Sequence, residues 1–289
     1  MRLRISGKVE RLLAICACIA GSAFGQTVPA ASPVLLAQEK ISRYLSQLAD
    51  LHCNESITQE KLNAKGHVEE TLHAKYDYLI MMQGSNDSFQ LNESRVAASP
   101  QKVRPEPISM LISNGLPTLV LMFHPYYAGS FTFTPGPAET LGGKELVPIG
   151  FESVPGRRTL AALALRGREF PLGLQGTAWI DAHTGDIEKI DASLKENLSD
   201  IGLQSLKIHV EYRPVMFGDK SSNADMPALA VVDVVTPRQH WRNTDAFSDY
   251  KSFSIDVKQG PAASVHTDKS SSDGKGNSES EPGGSKENP

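Results

Sequence analysis

Eight histidines, three cysteines and 33 acidic residues make metal and hydrolytic chemistry the first things to look for in this 289-residue sequence. His52 and Cys53 are adjacent, and His67 and His73 lie six apart, which puts them on one face if that segment is a strand. Neither pair stands at an established zinc spacing, and no His-x-x-x-His or Cys-x-x-Cys occurs. Asp181, His183 and a serine would supply the parts of a hydrolytic relay. No Gly-x-Ser-x-Gly presents the nucleophile, however, and both residues fall where a hairpin should turn. Gly142-Gly143-Lys144 lacks the rest of a phosphate loop and reads as a turn. Asp181, Asp186, Glu188 and Asp191 could be imagined around calcium, but they alternate with apolar residues and read as the wet face of a hairpin. The expectation is binding without catalysis, with no metal and no cofactor.

The stretch best suited to binding is apolar. Residues 108–127 form the most apolar run after the leader, with Leu119, Leu121, Met122, Phe123 and Tyr126 at its centre. Methionine and aromatic side chains suit an adaptable apolar pocket. Two readings stay open: a core segment plugging a sheet, or a lid over a cavity that these five residues line together with Trp179.

The chain opens with the features of a secretory leader. Arg2, Arg4, Lys8 and Arg11 precede the apolar run 12–20, and Ala23-Phe24-Gly25 offers a cleavage site, so residues 1–25 read as a signal peptide. No later stretch reaches the roughly 20 uncharged apolar residues of a membrane span. Residues 1–25 hold four bases and one acid, so their removal takes the net charge from −4 to −7. An acidic chain of this kind disfavours nucleic acid and anionic membrane surfaces. Cys16 and Cys18 leave with the leader. Anchoring through Cys18 as a lipoprotein is disfavoured, because the usual small residue two positions earlier is absent. Cys53 alone remains, so the core must hold by packing without an internal disulfide.

Elements follow from periodicity. Ser32-Pro33 opens a helix whose apolar face, from Val34 through Ile41 and Leu48, runs to about Leu51. Val68–Met82 and Phe89–Val96 form a hairpin across Gly84-Ser-Asn-Asp, and 108–127 reads as helical turns stopped by Pro125. Strands are expected at 145–154, 158–170, 174–181, 187–193, 206–217, 228–235 and 252–257, with no helices between them. Residues 259–289 carry Ser, Gly, Lys and Glu with hardly an apolar side chain, a composition expected of a disordered tail. The remaining residues 26–258 read as a single β-rich domain.

Trp179-Ile180-Asp181, followed by Thr184-Gly185 and Ile187, resembles the hairpin of the LolA-like superfamily of lipoprotein carriers and sigma-factor-regulator sensors. The resemblance implies an α+β fold: a curved antiparallel half-barrel sheet with an N-terminal helix and a central apolar helical segment packed on it. It also implies a periplasmic or secreted carrier whose inner face holds an acyl chain, its partner a lipid or an acylated protein. A second reading is an envelope sensor that binds a protein partner at a sheet edge, and a third is an enzyme of unrecognised type.

Overall fold

The computed structural model describes residues 32–47, 50–84, 88–98, 112–114, 117–165, 168–217 and 222–253. The leader with Cys18 and the tail 259–289 lie outside these residues.

Helix α1 (Pro33–Gln47) opens the fold and is followed at once by strand β1 (Asp50–Leu62). The helix therefore ends short of Leu51, and 50–62 is a strand that the sequence did not announce. Strands β2 (Val68–Gly84) and β3 (Phe89–Ala97) form the expected hairpin. Short strand β4 (Ile112–Asn114) precedes a 3-10 turn at Leu119–Phe123 and a one-turn helix α2 (Pro125–Ala128). The expectation of helix through 108–127 is thus corrected at two points. Residues 112–114 are extended, and Pro125 starts a helical turn instead of stopping one. Proline fits the first turn of a helix, where its missing N–H has no partner to lose. His124 caps that turn, its Nδ1 accepting from the Tyr126 amide at 3.2 Å.

The other described elements are strands, apart from a 3-10 turn at Ser199–Ile201. In order these are β5 (Phe131–Pro135), β6 (Glu139–Leu141), β7 (Lys144–Ser153), β8 (Ala162–Leu165), β9 (Arg168–Pro171), β10 (Leu174–Asp181) and β11 (Ile187–Leu194). They end with β12 (Ser205–Phe217), β13 (Ser222–Val235) and β14 (His240–Phe253). The strand expected over 158–170 is a hairpin, β8–β9, which joins β4 in a small separate sheet. The strand expected at 252–257 is the end of β14, which begins at His240. Residues 254–257 lie outside the described ones.

The main sheet is antiparallel and open, in the order β3-β2-β1-β14-β13-β12-β11-β10-β7-β5, with β6 added to β7. One face carries the core. Ile208, Val210, Ala230, Val232, Ala178, Ile180 and Ile190 all point into it, and their neighbours point out. The 3-10 turn fills the space between the two edges of this curled sheet. Phe123 stacks on Phe133 of β5 at 5.0 Å between ring centres, while His124 and Tyr127 meet Phe89 of β3 at 4.9 and 5.8 Å. All five residues of the turn are buried, Leu119, Met122 and Phe123 completely.

Helix α1 covers the same face and is pinned by charge. Lys40 ion-pairs with Asp186 at the β10–β11 hairpin and with Asp225 of β13, the latter at 3.1 Å. Asp186, expected on the wet face, instead turns toward the helix. Gly185 makes this close approach feasible: its φ is +73°, and a Cβ there would lie 2.7 Å from the Leu36 backbone.

Candidate functional site

Of the six residues expected to line a site, the structure gathers five. Leu119, Leu121, Met122 and Phe123 sit in the plug between the sheet edges. Tyr126 lies beside them, its ring covered by the Arg158 guanidinium at 4.2 Å. Trp179 does not join them. Ala178 and Ile180 point into the core, so strand alternation sends Trp179 to the opposite face. There its indole N–H donates to Glu139 Oε1 at 2.6 Å, and Lys189 Nζ lies 4.0 Å from the ring centre. The indole therefore closes the outer face of the hairpin and is not part of any wall built by the plug.

The histidines and acids singled out by spacing are engaged structurally. Asp181 Oδ1 accepts from the His183 and Thr184 amides, both at 2.9 Å, which makes it a turn-forming residue. His73 pairs with Thr58 at 3.2 Å. On the outer face His209 Nδ1 lies 2.5 Å from Asp191 and Asp233 holds both His240 and Arg242, beside a shallow hollow of ≈ 480 Å³. Among the described residues no group of three or more His, Cys, Asp or Glu is gathered as a metal site.

The chemistry the sequence concealed lies on the inner face of β1, β2, β3 and β14. Along β1 the inward positions are Leu51, Cys53, Glu55, Ile57 and Gln59, and all five are buried. Glu55, only 1 % exposed, is met by Arg95 of β3, which reaches across β2 and over the Tyr78 ring. Arg95 Nε and Nη2 donate to the two Glu55 oxygens at 2.7 and 2.9 Å, the bidentate arrangement that best compensates a buried carboxylate. Burial by itself would lower the Arg95 pKa, but the hydrogen bonds and charge of Glu55 hold it above its usual value. The Tyr78 hydroxyl donates to Glu93 at 2.5 Å, and burial raises its pKa well above the ordinary value.

From β14 come Asn243, Asp245 and Phe247, opposite Gln59, Ile57 and Glu55 respectively. Gln59 Nε2 donates to Asn243 Oδ1 at 2.8 Å. Two oxygens in this cluster have no hydrogen-bond partner among the described residues, Gln59 Oε1 and Asp245 Oδ1. Asp245 is 6 % exposed. Burial pushes its carboxyl up to about 7, with the Glu55 charge adding to the rise and Arg95 opposing it. Cys53 sits on the same face as a buried thiol, pushed up to about 12 chiefly by burial, which makes it unreactive near neutral pH.

A change in strand pairing opens the sheet next to this cluster. β13 and β14 pair only from Leu229↔Ala246 to Val235↔His240. Beyond that point β13 continues with β12 alone and β14 with β1 alone. The two strands diverge as a fork, and among the described residues no strand fills it. Irregularities flank the fork. A bulge in β14 sets Asp249 at φ +55° opposite Cys53, and a second lies between Glu211 and Tyr212. The Tyr250 hydroxyl spans the opening and donates to the Pro227 carbonyl at 2.8 Å. What remains is a groove of ≈ 550 Å³. Val215, Met226, Leu229 and Phe247 supply its apolar wall, and Glu211 and Arg213 add charge. Phe247 is the link, because it lines the groove, stands opposite Glu55 and packs 5.7 Å from the Tyr78 ring.

No family model matches the chain, and no curated protein matches it. Among solved structures it is similar to a LolA superfamily protein from Nitrosomonas europaea, at 10% identity over 77% of this chain and 94% of the other, with a TM-score of 0.38. It is also similar to a DUF1329 family protein from Desulfovibrio piger, at 10% identity over 79% and 95% with a TM-score of 0.41. A third is a putative outer membrane lipoprotein-sorting protein domain from Vibrio parahaemolyticus, at 11% identity over 76% and 91% with a TM-score of 0.43.

Proposed function

We propose that the chain is an exported, non-catalytic binding or carrier protein for a lipid or lipoprotein-like ligand of the cell envelope, working in the periplasm or outside the cell. The observation that carries this reading is the fork between β13 and β14. A sheet that stops pairing there leaves a groove of ≈ 550 Å³, within the range of small-molecule sites, walled by Val215, Met226, Leu229 and Phe247. An apolar chain in that groove removes from water the side chains that line it, while Tyr250 and the two bulges keep the opening from closing by strand pairing. The leader-like residues 1–25 support export. No helix among the described residues is long and apolar enough to cross a membrane. The plug at Leu119–Phe123 then serves as core that holds the sheet edges apart.

Native mass spectrometry of the mature protein, purified gently from the periplasm and followed by organic extraction, tests the reading. A co-purifying mass of acyl-chain size is expected, and a bulky substitution at the groove, Leu229→Trp, should remove it. A clean unliganded mass together with no uptake of added lipid would overturn the proposal.

A further inference from the structure

We infer that the contact between the plug and β3 is a clasp that mild acid opens: on taking up a proton His124 stops capping α2, and the β3 edge comes away from the plug. Opening there uncovers the inner face, whatever the groove holds.

The two sides of the plug are held differently. On the β5 side the contact is apolar, Phe123 stacked on Phe133. On the β3 side, at the end of the main sheet, Phe89 meets the rings of His124, Tyr126 and Tyr127 at 4.9, 6.0 and 5.8 Å. Tyr126 and Tyr127 belong to α2, a single turn too short to stand by itself. Its start depends on His124, whose Nδ1 accepts from the Tyr126 amide and whose carbonyl accepts from the Tyr127 and Ala128 amides. Accepting at Nδ1 requires a lone pair there, so the imidazole that closes the clasp is the neutral one. In the protonated ring both nitrogens are donors, and the Nδ1 proton would face the Tyr126 N–H. The surroundings add to that cost. His124 is 5 % exposed, and burial lowers its pKa from the ordinary value. The titratable and charged groups that reach this cluster from the described elements are Tyr126 and Tyr127 of α2, Arg158 and Glu93 of β3. Arg158 covers Tyr126 and brings like charge to a protonated His124, while Glu93 brings opposite charge and already accepts from the Tyr78 hydroxyl. The open form takes up its proton at the ordinary imidazole value, about 6.5, and the closed form only below it. Closure is therefore complete above that value and is lost as pH falls through it.

The test takes two readouts on residues 26–289 at pH 7.5 and pH 5. Hydrogen-exchange protection of the Tyr126, Tyr127 and Ala128 amides is expected to fall about tenfold at the lower pH, while that of Ile208 and Val210 in β12 holds. Spin labels on Gln90→Cys of β3 and Thr134→Cys of β5, both exposed positions, should report a longer and broader distance at pH 5, with the buried Cys53 left unlabelled. His124→Asn keeps a capping oxygen that does not titrate, and it should hold both the protection and the distance constant. A label distance that is the same at both pH values overturns the clasp, even if the α2 amides lose protection. Loss of protection in β12 as well would show general acid unfolding and overturn it too, as would a His124→Asn protein that opens as the wild type does. The wild-type comparison decides even where the variant folds poorly.

Discussion

Two parts of the same inner face solve burial in opposite ways. Under α1 and between the sheet edges, the plug buries Leu119 to Phe123, whose side chains carry no nitrogen or oxygen to satisfy, and Phe123 stacks on Phe133. Under β1 and β14, the face buries Glu55, Gln59, Asn243 and Asp245, and leaves two oxygens unmet. A domain of this size needs the first arrangement to stand. The second contributes little to standing, because desolvating charges offsets most of what their pairing returns. The difference assigns stability to the plug and marks the polar cluster as a part of the face that the fold does not need in order to stand.

The largest effect should come from breaking the plug. Phe123→Ala removes a fully buried ring and leaves a cavity, and a loss of about 4 kcal/mol in urea unfolding is expected. A loss below about 1 kcal/mol would mean that the plug is loosely held and can move as a lid. Next is the cluster. Arg95→Met strands the Glu55 carboxylate and should cost about 3 kcal/mol, but adding Glu55→Leu should restore most of it. Rescue of that kind marks an ion pair that the fold does not need. Without rescue, the pair would belong with the plug as structure.

A smaller, pH-dependent effect sharpens the contrast. The Asp245 carboxyl is raised to about 7 from 3.8, so between those values the folded chain holds a proton that the unfolded chain has released. Stability must therefore fall as pH rises through that window and level off above it, by on the order of 2 kcal/mol, about half of what the full shift converts to. The groups acting on it are the Glu55 charge from β1 and the Arg95 charge from β3. Asp245→Asn should flatten this part of the profile and make the protein more stable than wild type at pH 8. A thermal-melt series from pH 4 to 8 on both proteins checks it, and parallel curves would show that Asp245 does not titrate there.

The plug and the sheet were legible in the sequence because apolar side chains announce them. Ile208 and Val210 alternate with Lys207 and His209, and that pattern reads directly as a half-buried strand. The polar cluster was not legible for the complementary reason. In Asp50–Leu62 the buried period-2 positions include Glu55 and Gln59, so a strand of strict alternation looks like a polar connection after a helix. Strand β14 was hidden in the same way, its inward positions being Asn243, Asp245 and Phe247. The fork had no local signal at all, because it arises where pairing between two strands ceases, and pairing is decided by partners far away in sequence. Trp179 misled through its size. A large ring in a strand suggests the wall of an apolar cavity, yet an indole with an N–H to place is satisfied on the outer face against Glu139 and Lys189.

The position of β1 has a consequence for how the chain comes to be folded. Its partner in the middle of the sheet is β14, joined through pairs such as Thr58↔Thr244, and α1 just ahead of it rests on Asp225 through Lys40. Strand β1 meets β2 as soon as that strand has formed, but its other edge stays unpaired until β14, the last described strand, arrives. Contacts that span the whole chain slow the search for the native state, since a long loop must close before they form. The main sheet therefore cannot complete itself until β14 has joined β1.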